Sequence, residues 1–233
     1  HMAKTFTKIG KEITIAVKQG GPDVVGNSRL RALMAEARSE NMPKDNVEKA
    51  IKRALEKNQG DFKEVVFEGY GPHGIAYLVE TATDNNTRTV ANVRSYFTKC
   101  GGSLGTSGSV SFMFDHKCVF RIKYQEGMDI DELQLALCEC DDDPEVFIEE
   151  QEDKDENITK NVVIYGAYES YGAIQKYIED NGYELVSGGF ERIPNVELKD
   201  VTPEQRETLD KLTGLLEDDD DVTNVYSTLK PAE

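Results

Sequence analysis

Up to Asn58 the apolar residues of this sequence recur at intervals of three and four; from Val65 onward they gather into short runs rich in Val, Ile, Tyr and Phe, set between helical patterns. A helix turns one face inward every three or four residues and a strand every second one. The single change of period therefore divides the chain into a helical block and a mixed block. Within residues 4–58 the spacing predicts three helices. The first, about Thr5 to Gln19, places Phe6, Ile9, Ile13, Ala16 and Val17 on one face and stops at Gly20-Gly21-Pro22. The second opens near Asn27 or Ser28 and buries Leu30, Leu33, Met34 and Ala37. The third begins around Pro43, whose fixed φ suits a first turn, and runs through Val47, Ala50, Ile51, Ala54 and Leu55 to Asn58. Gln59-Gly60-Asp61 reads as a linker.

In the mixed block, strands are expected at Gly74–Thr83, Ser109–Asp115, Cys118–Lys123, Val146–Glu150, Asn161–Gly166, Glu184–Ser187, Phe190–Leu198 and Val222–Thr228. Helices are expected at Thr87–Lys99, Ile130–Cys140, Tyr171–Asn181 and Pro203–Leu216. Residues 118–187 thus read βαββαβ, the ferredoxin-like pattern, and so do the segments flanking them. A tandem arrangement would leave unpaired halves. The economical fold is α+β: a three-helix domain over residues 1–60, a ferredoxin-like domain from 61–116 plus 189–233, and a second one, 117–188, inserted in the first. The last strand then returns to pair near Gly74–Thr83.

Charge follows the same division. The formal net charge of -17 would by itself repel a polyanion. Residues 1–60, however, hold 12 Lys+Arg against 7 Asp+Glu, residues 61–115 hold 4 against 6, and residues 116–233 hold 11 against 31. Nucleic acid is expected to meet the N-terminal end. Keeping the protein soluble explains the acid excess but not its segregation. The acidic runs Asp141-Asp142-Asp143, Glu149 to Glu156 and Glu217 to Asp221 read as solvated turns.

Cys100, Cys118, Cys138 and Cys140 form no C-x-x-C pair and have no His at ligand spacing, so a reduced, cytoplasmic protein without structural zinc or other cofactor is expected. No apolar run approaches the roughly 18 residues of a membrane span, nothing reads as a signal peptide, and His1-Met2 reads as a tag scar. No G-x-S-x-G, H-E-x-x-H or kinase-like set is present, and the reading is non-enzymatic. His73, between Gly71-Pro72 and Gly74, reads as a turn residue.

The candidate phosphate-binding cations are Lys8, Lys11 and Lys18 on the first helix, Arg29, Arg31 and Arg38 on the second, and Lys44, Lys49, Lys52 and Arg53 on the third. Several helices can neutralise phosphates together and release counterions, while the plainer alternative is a solvated charged face. A second candidate is Asp84-Asn85-Asn86-Thr87-Arg88-Thr89, where a capped helix start and Arg88 could hold an anion, with Arg94 and Lys99 nearby. Simple capping explains it equally well. The glycine-rich stretch Gly101 to Ser109 lacks the Lys-Ser/Thr pair of a P-loop and reads as a turn that could approach nucleic acid closely. Tyr70, Tyr77, Phe112 and Phe114 could stack bases on a sheet but read more simply as core.

Several runs carry a resemblance: Asn27-Ser28-Arg29-Leu30-Arg31, Asn41-Met42-Pro43-Lys44-Asp45-Asn46-Val47, Phe67-Glu68-Gly69-Tyr70-Gly71-Pro72, Asp84-Asn85-Asn86-Thr87-Arg88-Thr89-Val90, Gly101-Gly102-Ser103-Leu104-Gly105 and Gly108-Ser109-Val110-Ser111-Phe112-Met113-Phe114. Over essentially its whole length the chain resembles the YebC/PmpR family of transcriptional regulatory proteins, whose mitochondrial relatives are translational activators. The resemblance implies a three-domain cytoplasmic protein that binds DNA and regulates transcription, with rRNA or the ribosome as the alternative partner. Family members usually open with a further basic segment that this sequence does not show, and such a segment would add phosphate contacts.

Overall fold

The computed structural model describes residues 2–58 and 60–233, so the tag-scar reading of His1 and the linker reading of Gln59 lie outside the described residues. The three expected helices are α1 (Met2–Gly20), α2 (Ser28–Ser39) and α3 (Lys44–Leu55). Asn27 caps α2 by accepting from Leu30 N–H at 3.0 Å, and its amide donates to the carbonyls of Ala16 and Gly21 at 2.9 Å each. One side chain thereby closes the end of α1 and opens α2.

The mixed block forms two four-stranded sheets. The first contains β1 (Lys63–Tyr70), β2 (Ala76–Thr83), β3 (Ser103–Leu104) and β8 (Val222–Ser227), ordered β3-β1-β2-β8 with each pairing antiparallel. The expected return of the last strand is found: Leu78 pairs with Tyr226 and Val79 with Val225. Helices α4 (Asn86–Lys99) and α7 (Pro203–Asp218) supply Val93, Phe97, Leu209, Leu212 and Leu216 to a core with Ile75, Tyr77 and Val79. The Tyr77 and Phe97 rings meet edge to face at 5.8 Å, a favoured aromatic geometry. Thr202 and Gln205 form a capping box at the start of α7, with Pro203 in its first turn.

Between β3 and α7 the chain makes β4 (Phe114–Lys123), α5 (Ile130–Leu137), β5 (Glu145–Glu152), β6 (Ile158–Ala167), α6 (Tyr171–Asp180) and β7 (Leu185–Pro194). This is the expected inserted βαββαβ unit, and its sheet order β5-β6-β4-β7 is the ferredoxin-like one. Phe120, Ile122, Leu137, Ile164, Ile174 and Ile178 form its core.

Four strand expectations change. Neither β1 nor β3, which lies in the glycine-rich stretch read as a turn, was expected as a strand. The expected strands at 109–115 and 118–123 become a turn of 3-10 helix at Ser111–Met113 and the single strand β4. Those at 184–187 and 190–198 become the single strand β7, which passes through Gly188-Gly189 without turning. A Cβ at Gly188 would lie 2.6 Å from the Phe120 ring and 3.4 Å from Ala32 Cβ, so glycine here admits neighbours instead of making a turn.

By packing, the chain divides into two compact units: His1–Lys11, Glu56–Asp115 and Arg192–Glu233 in one, Glu12–Leu55 and His116–Glu191 in the other. In the second unit α2 packs beside α6 and β7, where the Gln175 amide donates to Ser28 O at 2.8 Å. Among the described residues no helix is long and apolar enough to cross a membrane.

Candidate nucleic-acid interface

The connection between α2 and α3 sets the geometry of the basic surface. Asn41 takes a positive φ of 57°, Met42 N–H donates to Ala37 O at 2.9 Å and Asn41 N–H to Arg38 O at 3.1 Å. This is a Schellman end with Asn in the left-handed position, a role its short polar side chain tolerates. Pro43 O then accepts from Asn46 N–H at 3.0 Å and opens α3. Val47 and Ala50 turn inward, and Thr14 donates from its hydroxyl to Ala50 O at 2.9 Å. Arg38, Lys44, Lys49 and Lys52 on this hairpin are all exposed, as are Glu40, Asp45 and Glu48.

These four differ from the other candidate cations in what surrounds them. Arg38, Lys49 and Lys52 have no carboxylate partner among the described residues, and Lys44 has only the exposed Glu48 at 3.8 Å, a pairing of small energetic weight. Lys18 is also exposed, while Arg53 is half-buried. Arg31, by contrast, grips Glu179 with Nε and Nη2 at 2.8 and 3.0 Å and donates from Nη1 to the carbonyls of Val24 and Val25 at 2.8 and 2.7 Å. Arg29 donates to Gly188 O and lies 3.6 Å from Glu12.

In the first unit Lys8 donates to Asn224 at 2.6 Å, and Lys11 to the carbonyls of Ala82 and Asp220 at 2.9 and 2.5 Å. Arg88 binds both oxygens of Asp221, at 3.0 and 2.7 Å, and Asp84 at 3.1 Å. Asp221 also accepts from the Thr89 hydroxyl at 2.9 Å. Burial pushes the Asp221 pKa up, but the bonds from Arg88 and Thr89 outweigh it and hold the carboxyl below its ordinary value. Burial depresses the Lys11 ammonium despite Asp221 and Asp220. Arg88 is thus the close partner of Asp221, and Lys11 a more distant one at 3.7 Å. Asp221, at the end of a run read as a solvated turn, is only 5% exposed.

At the α4 start, Asn85 accepts from Arg88 N–H at 3.1 Å, which is the simple capping alternative. Arg94 remains exposed on α4, without a carboxylate partner among the described residues.

The glycine-rich stretch is likewise occupied from within. Glu68, in β1 and 5% exposed, accepts from the N–H groups of Gly108, Val110 and Ser111 at 2.7, 3.0 and 2.6 Å. Burial alone would raise its pKa, yet the three donors keep it lowered. Nothing in the spacing marks Glu68, which sits alone in a strand far along the sequence from its donors. Of the aromatics considered for stacking, Tyr77 and Phe114 are core, whereas Phe112 is 67% exposed. No group of three or more His, Cys, Asp or Glu side chains among the described residues could hold a metal.

Comparison with known proteins places this geometry in context. Residues 1–57 match the family model for the TACO1/YebC N-terminal domain, and residues 62–229 that for the second and third domain. A protein of Parabacteroides distasonis named "Probable transcriptional regulatory protein" is 58% identical over 99% of this chain and 90% of its own length. One of the same name from Bacteroides thetaiotaomicron is 56% identical over all of this chain and 91% of its own. The crystal structure of a conserved hypothetical protein from Aquifex aeolicus is similar with a TM-score of 0.78 at 32% identity, covering 99% of this chain and 91% of that one.

Proposed function

The chain belongs to the TACO1/YebC family, and we propose that it is a non-enzymatic, cytoplasmic transcriptional regulator that binds DNA through the outer face of the α2–α3 hairpin. The observation that carries this reading is the set Arg38, Lys44, Lys49 and Lys52, exposed on one hairpin and, apart from the Lys44–Glu48 pair, without carboxylate partners among the described residues. Elsewhere in the acidic chain most candidate cations are already engaged. The regulator names of the relatives support the same class.

Lysines and an arginine on helix flanks suit phosphate contact, which positions a protein on a duplex without reading bases. Each neutralised phosphate contributes a slope of about −0.9 to log K against log salt, so four contacts give about −3 to −4. Gel shifts on duplex DNA across a salt series test this; absence of binding at low salt overturns it. Competition by rRNA fragments in the same assay tests the alternative partner. If RNA displaces DNA at far lower concentration, the surface serves a translation factor.

A further inference from the structure

Beside the basic face, and wholly within the second unit, lies a cavity of 610 Å³ whose apolar lining, called its floor below, includes Met34, Ala35, Leu185 and Val186. That volume falls in the range of small-molecule sites, which are typically apolar clefts with a few polar groups at the mouth. Three cations line this one. Arg31 is committed to Glu179, and Lys123 pairs with Glu184 at 3.0 Å. Among the described residues Arg38 alone of the three has no carboxylate partner.

We infer that this cavity is a binding site for an amphipathic monoanion, an acyl or aryl carboxylate, whose apolar body covers the floor and whose carboxylate meets Arg38. Guanidinium is suited to this by its planar fork of donors, which matches a carboxylate in bidentate fashion. The rim also fixes how much charge the ligand carries. Glu179 and Glu184 cancel the other two cations, so a nucleotide polyphosphate meets two carboxylates and one free cation, while a single carboxylate meets its match.

Arg38 is shared with the proposed DNA-binding face, so a bound carboxylate removes one phosphate contact. This half of the inference rests on the function proposed above. The ligand is then a negative effector, and the salt slope falls by about one contact when it is bound.

Decanoate, kept below its micelle concentration, is the probe, titrated calorimetrically into the full chain without nucleic acid. Binding at one site per chain is expected, with at least about tenfold weaker binding in Arg38→Ala, since a hydrogen-bonded charge typically contributes that much or more. Arg38 is exposed, so this variant keeps the fold; Ala35→Trp, filling the floor, abolishes binding. Decyltrimethylammonium and decanol are the controls. Equal binding of either control, or undiminished binding of decanoate by Arg38→Ala, overturns the site. Gel shifts with and without decanoate test the regulatory half, where unchanged DNA affinity in saturating decanoate overturns it. Failure of DNA binding alone leaves the calorimetric result standing, and a flat isotherm with intact gel shifts removes the cavity but not the DNA-binding reading.

Discussion

Lys11 and Arg88 in one unit and Arg38, Lys49 and Lys52 in the other are all candidate phosphate-binding cations by sequence, yet they have opposite surroundings. The first pair converges on Asp221, whose side chain is 7% exposed. The second set stands on a two-helix surface where none of the three has a carboxylate partner among the described residues. A cation held by a desolvated carboxylate stabilises the fold, whereas one facing water remains available to a phosphate. Count and spacing of lysines do not distinguish the two; the position of the carboxylates does.

The sharpest way to break the comparison is Asp221→Ala. Removing the shared acceptor strips Arg88 of its two-pronged partner and takes from half-buried Lys11 one of its counter-charges, and the expected loss is about 3 kcal/mol in urea unfolding, with DNA affinity of the folded fraction unchanged. A normal unfolding midpoint would place the two cation sets in the same class.

Next in size is the combined Arg38→Glu, Lys49→Glu and Lys52→Glu. DNA affinity should fall more than about a hundredfold at moderate salt and the salt slope by about 2.7, while stability shifts by less than about 0.5 kcal/mol, as for exposed positions generally. A comparable loss of stability would show that these cations also hold the fold.

Glu68→Gln extends the comparison to a carboxylate held by backbone donors. The expected cost is about 1–2 kcal/mol, with faster hydrogen exchange at Gly108, Val110 and Ser111. Glu68, Asp141 and Asp221 all have pKa values lowered in the fold against the opposing effect of burial. Their contribution is therefore present above the unfolded values near about 4 and is lost as pH falls through the lower folded ones. Unfolding midpoints should drop on acidification below about pH 4, less steeply in Glu68→Gln. The smallest effect is expected for Arg94→Ala, exposed and away from the hairpin, with DNA affinity changed less than about twofold.

Much of this was legible from the chain. The three N-terminal helices follow from spacing and caps, and the nested arrangement follows from counting strands and asking which would otherwise lack a partner. The strand through Gly188 was misread because glycine pairs signal turns, whereas here the missing Cβ admits the Phe120 ring. The basic helices could be named, but sorting their cations needs partners distant in sequence: Glu179 for Arg31, Asp221 for Arg88. Glu68 and Asp221 carry no local signature, because burial of a single acid among many depends on which donors the fold brings to it, backbone N–H groups for Glu68 and the Arg88 and Thr89 side chains for Asp221.

The pairing of β8 with β2 has a consequence for synthesis. On the ribosome, β1, β2 and β3 emerge long before residues 222–227, and the whole β4–β7 segment is made in between. During that interval β2, an interior strand of the finished sheet, presents an open edge and lacks the cover of α7, a condition that invites pairing with other chains. The inserted ferredoxin-like unit has no such wait, since its strands emerge consecutively. Vectorial synthesis thus completes the acidic insert first and leaves the earlier-made sheet exposed to misassembly until its last strand arrives.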